Sequence, residues 1–329
     1  MLFSTNLLNI LTTSSYKGIG KSWIVNNTKK HKNYESLIHA LNKDSKEQDQ
    51  ITLEDFDKRK KLIENELWKL EEHIDGAVAI GDKDFPKCRG IAKSSEQPIV
   101  LFYRGDLNLL SEINKNITVI GLLNPEEEIE SIEKVVVSEL VKKGATIISG
   151  LALGCDSIAH RQTIESHGKT IAILPCPLNK IIPAANKQLA DDIVGNNGLL
   201  ITEYYTKERS RTELYSRYIE RNRLQALFSN TVILVASYAK NNEGKDSGSR
   251  HAMQFALDYS IPRAVIYDSE TDSDKEMYDL NRQIIREHNN ITVINKNNMH
   301  TSLLKIANQQ PAITKNNSQQ NSIFDYIQK

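Results

Sequence analysis

The chain has 329 residues, enough for one large domain with a full core and a smaller one beside it. Lysine plus arginine equals aspartate plus glutamate at 42 each, which excludes a global polycation and leaves any nucleic-acid site to a local patch. Cys88, Cys155 and Cys176 stand far apart with no metal-ligand spacing, no apolar run approaches the roughly 20 residues that span a bilayer, and the opening MLFSTNLLNILTT lacks a basic leader region. The expectation is reduced thiols in a cytoplasm, with no membrane partner.

Residues 1–72 read as a small, separate helical domain. Leu7, Leu8 and Leu11 form one short apolar face, and Lys17-Gly18-Ile19-Gly20-Lys21 turns sharply into a second helix around Trp23, Ile24 and Val25. Gly-Ile-Gly between helices is similar to a helix–hairpin–helix turn, whose amides meet a DNA phosphate; an ordinary turn in an accessory bundle fits the same residues. Phe56, Leu62, Ile63, Leu67 and Leu70, spaced among charges, predict a solvated amphipathic helix over 53–70.

From Ile74 the pattern changes to strands. Ala77–Ile80 and Ile99–Tyr103 are short apolar runs bounded by glycine, proline and aspartate; between them, Asp82-Lys83-Asp84 reads as a turn rather than a metal site. Ile117–Gly121 opens a series of strand–turn–helix units, with a crossover helix expected over Glu128–Lys142. Next, the strand Ala145–Ile148 runs into Ser149–His160, SGLALGCDSIAH. Gly150 and Gly154 let the backbone turn and approach a ligand, and Asp156 or Ser157 is placed to cap the amides of the following helix. A helix N-terminus after a glycine turn attracts phosphate. His160 reads as an orienting hydrogen-bonder, because the sequence supplies no nucleophile for it to serve.

Lys169–Leu174 reads as a buried strand ending at Cys176, a packed thiol; Pro183–Lys187 opens a helix, and Gly198–Glu203 is a further strand. Tyr204–Arg263 carries ten Lys/Arg against six Asp/Glu and interleaves them with Tyr204, Tyr205, Tyr215 and Tyr218. Cations that follow a backbone and rings that stack bases are the components of single-strand binding; a solvated helix face with core tyrosines would look the same. The strand Thr231–Ser237 leads to a second glycine–serine turn, Ser247-Gly248-Ser249-Arg250, and a helix over His251–Tyr259 whose Ala252, Phe255, Ala256 and Tyr259 can face the sheet or a second copy. Residues 301–329 read as a polar, flexible tail.

Taken in order, IGDKDFP with PIVLFYRGDL, SGLALGCDSIAH, GKTIAIL with LNKIIPAANKQL and GLLITEY, ERNRLQALFSN, VILVAS and SGSR closely resemble the DprA/Smf DNA-processing proteins over about Ile74 to Pro262. The resemblance implies an α/β fold: an extended Rossmann-like domain over 73–300, with a parallel-rich sheet flanked by helices. It implies a non-enzymatic protein without cofactor or metal that binds single-stranded DNA, forms a homodimer and helps load a RecA-type recombinase during DNA uptake. Carried onto this sequence, the phosphate and nucleic-acid contacts fall on Gly121, Ser149, Gly150, Gly154, Asp156, His160, Lys187, Arg221, Asn222, Arg223, Ser247, Gly248, Ser249 and Arg250.

The chain departs from the family at one corner. Where the first parallel strand is usually followed by Gly-Ser-Arg, it has Gly121-Leu122-Leu123-Asn124-Pro125 and then Glu126, Glu127 and Glu128, which remove a cation and add repulsion toward phosphate. That loss motivates an alternative, a Rossmann-like sensor of a nucleotide-derived signal in defence against foreign DNA. A nucleotide-hydrolysing enzyme of the lysine-decarboxylase-like group is disfavoured, since its PGGxGTxxE motif is absent.

Overall fold

The computed structural model describes residues 3–27, 30–31, 33–240 and 248–309. Four helices come first: α1 (Thr5–Ser14), α2 (Lys21–Asn27), α3 (Tyr34–Asp44) and α4 (Leu53–Trp68). Their starts are written locally. The side chains of Ser4, Asn33 and Thr52 accept from backbone amides of the first turns of α1, α3 and α4, satisfying donors that have no partner within the helix.

The body is a nine-stranded sheet of β1 (Gly76–Ala79), β2 (Val100–Gly105), β3 (Lys115–Ile120), β4 (Ala145–Ser149), β5 (Lys169–Ile173), β6 (Leu199–Thr202), β7 (Thr231–Leu234), β8 (Arg263–Ile266) and β9 (Thr292–Ile294), in the order β1-β2-β6-β5-β4-β3-β7-β8-β9. From β6 across to β9 every pairing is parallel; β1 and β2 add an antiparallel edge. The crossovers are α5 (Glu127–Lys142), α6 (Cys155–Glu165), α7 (Lys187–Gly195), α8 (Arg211–Leu227), α9 (Ser249–Asp258) and α10 (Asp279–Glu287), and α11 (Met299–Asn308) closes the described chain. This is the Rossmann-like architecture with a helical N-terminal part that the sequence implies. Strands β4, β6 and β7 are buried along their whole length, as a sheet covered on both faces requires.

Strand order reverses at β3: its crossover leads to β4 on one side, whereas β7 lies on the other. A crevice therefore opens at the carboxyl ends of β3, β4 and β7, the place where such sheets bind ligands.

Four expectations change. Residues 301–309 do not form the start of a tail, because α11 crosses that boundary and buries Leu303, Ile306 and Ala307 against the body. The N-terminal helices share an apolar cluster with the sheet that runs from Leu7 and Phe56 to Phe102, Leu189 and Leu200. Asp82 anchors this junction: its carboxylate accepts from Asn6 Nδ2 at 2.7 Å and from the Ala79 amide at 2.7 Å, which makes it a turn residue. In the Gly-Ile-Gly turn, the Lys17 amide donates to Glu47, while Lys21 pairs with Glu203 at 3.2 Å and Glu220 at 3.1 Å. The turn faces the protein's own carboxylates. Finally, the apolar side of α9 is spent internally, with Ala252, Ala256 and Tyr259 buried in the cluster that also holds α8 residues Leu224 and Leu227.

Candidate nucleic-acid interface

A cavity of about 430 Å³ lies in the crevice, within the roughly 300–1,000 Å³ range of small-molecule sites. The end of β3 contributes Gly121 and Leu123, the β4–α6 loop Ala152, Leu153 and Asp156, the segment before α7 Pro183, and the start of α9 Gly248, Ser249 and Ala252. Helix α8 supplies the remaining wall with Tyr215, Tyr218, Arg221, Asn222 and Gln225. Ser210 caps α8 by accepting from the Glu213 amide, and the pocket positions then recur at the spacing of one helical face.

Two ties hold the walls together. Ser249 Oγ donates to the Gly121 carbonyl at 3.0 Å, and Asn222 Nδ2 donates to the Gly248 carbonyl at 3.1 Å. At the floor, Asp156 Oδ2 accepts from the Gly150 amide at 3.2 Å and the Ala152 amide at 3.3 Å, and lies 3.6 Å from Arg221 Nη1. Asp156 therefore caps the loop that precedes α6 rather than the helix itself, whose N-cap is Gly154 without a side-chain bond. Gly150 is required there: a Cβ would overlap the Arg221 guanidinium. Gly154, at φ +69°, passes so close to the Leu122 and Leu123 carbonyls that a Cβ would collide with them. Burial lowers the affinity of the Arg221 guanidinium for its proton, and the charge of Asp156 opposes that shift.

Of the residues singled out in the sequence, Gly121, Asp156, Arg221, Asn222, Gly248 and Ser249 line the cavity, and Gly150 and Gly154 shape it from behind. The others lie elsewhere. Ser149 is fully buried and donates to the Val119 carbonyl. His160 is fully buried with Nδ1 at 2.7 Å from Thr170 Oγ1; burial first, then the charges of Arg221 and Arg161, pull its pKa down to about 3. It stays neutral, out of reach of a ligand. Arg223 points to the opposite side of α8, where its Nη1 and Nη2 each reach Glu203 at 2.8 Å. Two residues along a helix is a rotation of roughly 200°, so Arg221 and Arg223 cannot share one phosphate site. Lys187 is exposed one turn beyond Pro183, Arg250 opens α9 without lining the cavity, and Ser247 lies outside the described residues.

The corner that departs from the family pattern has become an apolar lip. Leu122 is buried and Leu123 is exposed into the cavity. None of the three glutamates after it lines the cavity; Glu128 turns to a second hollow and pairs with Lys275 at 2.6 Å. That hollow, about 260 Å³, gathers Glu128, Asp268 and Asp272, offset by Lys296 in its lining and by Lys275 beside it, and so offers nucleic acid no excess of positive charge. Sequence reasoning missed Gln225 and Leu153. Gln225 is 1% exposed and its Nε2 has no partner among the described residues; its spacing from Tyr218 and Asn222 was the available signal. Much of the local basic excess is also consumed: Arg217 stacks over Tyr204 and pairs with Glu213 at 2.6 Å. Lys207, Arg209 and Arg211, just before Tyr215 in the chain, remain exposed.

The family model for DNA recombination-mediator protein A matches residues 76–303, which includes every wall of this cavity. The chain belongs to that family. Among curated relatives, it is 33% identical to the DNA processing protein DprA of Streptococcus pneumoniae over 172 residues and 31% identical to that of Bacillus subtilis over 164. The matches span 52% and 50% of this chain and only 58% and 53% of those relatives. A further relative, the Smf protein of Borreliella burgdorferi, is 25% identical over 78% of each chain. The solved S. pneumoniae DprA has the same fold, with TM-score 0.69 at 22% identity over 94% of this chain and 99% of that one. DNA processing protein A of Helicobacter pylori, whose structure concerns its single-stranded DNA binding mode, aligns with TM-score 0.56 at 27% identity, over 71% of this chain and 97% of that one. Among the described residues no helix is long and apolar enough to cross a membrane.

Proposed function

We propose that this DprA-family protein binds single-stranded DNA at the carboxyl-end crevice as a non-catalytic recombination mediator inside the cell. The observation that carries the reading is the α8 wall. Tyr215, 60% exposed, and Tyr218, over whose ring Arg221 lies at 5.7 Å, line the cavity, and Lys207, Arg209, Arg211 and Lys187 stand exposed on the flanking segments for the backbone phosphates. Rings that accept any base, together with cations that accept any phosphate, favour strands whose bases are unpaired. The relationship to the H. pylori protein supports the same ligand. Handing the strand to a RecA-type recombinase and acting as a homodimer complete the proposal. Because the apolar side of α9 is already covered, self-association would use another surface.

A second reading has one observation in its favour. Leu122 and Leu123 replace the expected cation-bearing corner, so the cavity has an apolar lip where a backbone-binding cleft needs a cation, as a nucleotide sensor would have it. Titration of the full chain with oligothymidylate, duplex DNA and a nucleotide panel separates the two. The mediator reading expects the single strand to bind more tightly than duplex, with a log–log salt slope of about −0.7 per phosphate neutralised. Equal affinity for duplex, or saturable binding of a free nucleotide with none of the strand, would overturn it.

A further inference from the structure

We propose that Asp156 is the built-in anion of this site, a specificity residue whose carboxylate fills the seat that a phosphate would take, so that the cavity floor receives only the uncharged part of a nucleotide. This deepens the reading of the crevice as a nucleic-acid site. Three donors that ordinarily recognise phosphate converge at the floor: the amides of Gly150 and Ala152 and the guanidinium of Arg221. The two amides donate to one oxygen, Asp156 Oδ2, which also lies 3.6 Å from Arg221 Nη1, while that nitrogen donates to the Ile173 carbonyl at 3.3 Å. Both side chains of the pair are largely withdrawn from water, at 10% exposure for Asp156 and 6% for Arg221, so the charge is neutralised inside the protein and not by ions from solution.

The backbone is built around this arrangement. With glycine at 150 the Arg221 guanidinium occupies the place a Cβ would take, and that Cβ would lie 2.7 Å from Asp156 Oδ2, so a larger residue would have to displace the pair. A phosphate arriving at the floor would find both amides taken and a like charge at contact distance, which is strongly unfavourable in a site with this little water. Beside Arg221, whose charge Asp156 answers although its Nε has no hydrogen-bond partner among the described residues, the floor offers neutral groups: the Gln225 amide, whose Nε2 likewise has no partner among the described residues, and Asn222, set in a surround of Tyr218, Leu123 and Leu153. Phosphate is thereby sent to the exposed cations at the rim. Charge exclusion at the floor also explains how the site tolerates Leu123 where a cation is expected: with Asp156 already answering Arg221, no phosphate remains there to be neutralised.

The test compares the full-length wild type with Asp156→Asn, which keeps shape and an acceptor oxygen while removing the charge, and with Asp156→Ser as a second variant should the first fail to fold. Inorganic phosphate is titrated calorimetrically at fixed ionic strength and then used to compete with oligothymidylate. The wild type is expected to show no saturable phosphate binding, whereas the uncharged variants gain affinity by about tenfold or more and let phosphate displace the strand. Saturable phosphate binding to the wild type in competition with DNA, or no gain in either folded variant, would overturn the assignment. If the strand fails to bind the wild type, the nucleic-acid reading falls, while the phosphate comparison still decides the role of Asp156.

Discussion

The two sides of α8 show how one helix divides its cations between binding and architecture. On the cavity side, Arg221 sits with Asn222 and Gln225, lies over the Tyr218 ring at 5.7 Å, donates to the Ile173 carbonyl and has Asp156 as its counter-charge. On the far side, Arg223 makes two bonds to Glu203, and Glu203 also receives Lys21 from the start of α2, so the N-terminal helices are fastened to the sheet through α8. Burial by itself would raise the Glu203 carboxyl, yet the charges of Arg223 and Lys21 more than offset it and hold the group below the ordinary carboxylate range. Arginines two residues apart thus serve a ligand site and a domain junction. Proximity in sequence says little about shared function when the helix turns them apart.

The largest effect is expected on the architectural side. Glu203→Ala removes both close bonds of the buried Arg223, leaves it only the longer contact to Glu220 at 3.8 Å, and should cost about 3 kcal/mol of stability by chemical denaturation, with DNA affinity of the folded fraction unchanged. A loss of affinity without a loss of stability would break the division. On the cavity side, Arg221→Gln should weaken oligothymidylate binding by about ten- to a hundredfold, because it leaves the Asp156 charge at the floor without its counter-charge. Unchanged affinity would remove Arg221 from the site.

A smaller, pH-dependent effect sharpens the boundary between site and core. His160 is held neutral behind the cavity with its pKa pulled down to about 3, whereas the unfolded chain binds that proton near its ordinary value. Protons then favour the unfolded state, so stability is full above about pH 6.5 and declines as pH falls toward 3, by at most about 1.4 kcal/mol per pH unit. His160→Asn should flatten that decline without altering DNA binding at neutral pH. Identical acid profiles for the two proteins would mean that the imidazole titrates normally, and is accessible after all.

The sheet was legible because its buried strands read as short apolar runs; Ala145–Ser149 and Thr231–Leu234 lie where that pattern put them. The end of the body was not. Strand β9 has three residues with only Ile294 fully buried, and α11 carries its three buried residues in a short segment next to a polar stretch, too little periodicity to mark either. Gly121, Arg221 and Ser249 were singled out through the motifs of the family resemblance, and the fold sets all three on the wall of one cavity. Arg-Asn-Arg misled, because a tripeptide shows charge but not helical phase. Asp156 was found for a different role: the sequence identifies a carboxylate near free amides, and only the folded loop determines that those amides belong to Gly150 and Ala152.

The central claim, that the crevice at the ends of β3, β4 and β7 holds the strand, is tested most directly by photocrosslinking. An oligothymidylate carrying a photoreactive thymine analogue is bound to the full chain, irradiated, and its attachment sites are mapped by mass spectrometry. Crosslinks on Tyr215, Tyr218 or Leu153 are the expected result; crosslinks confined to the N-terminal helices, or to the acidic hollow around Asp268 and Asp272, would contradict the account.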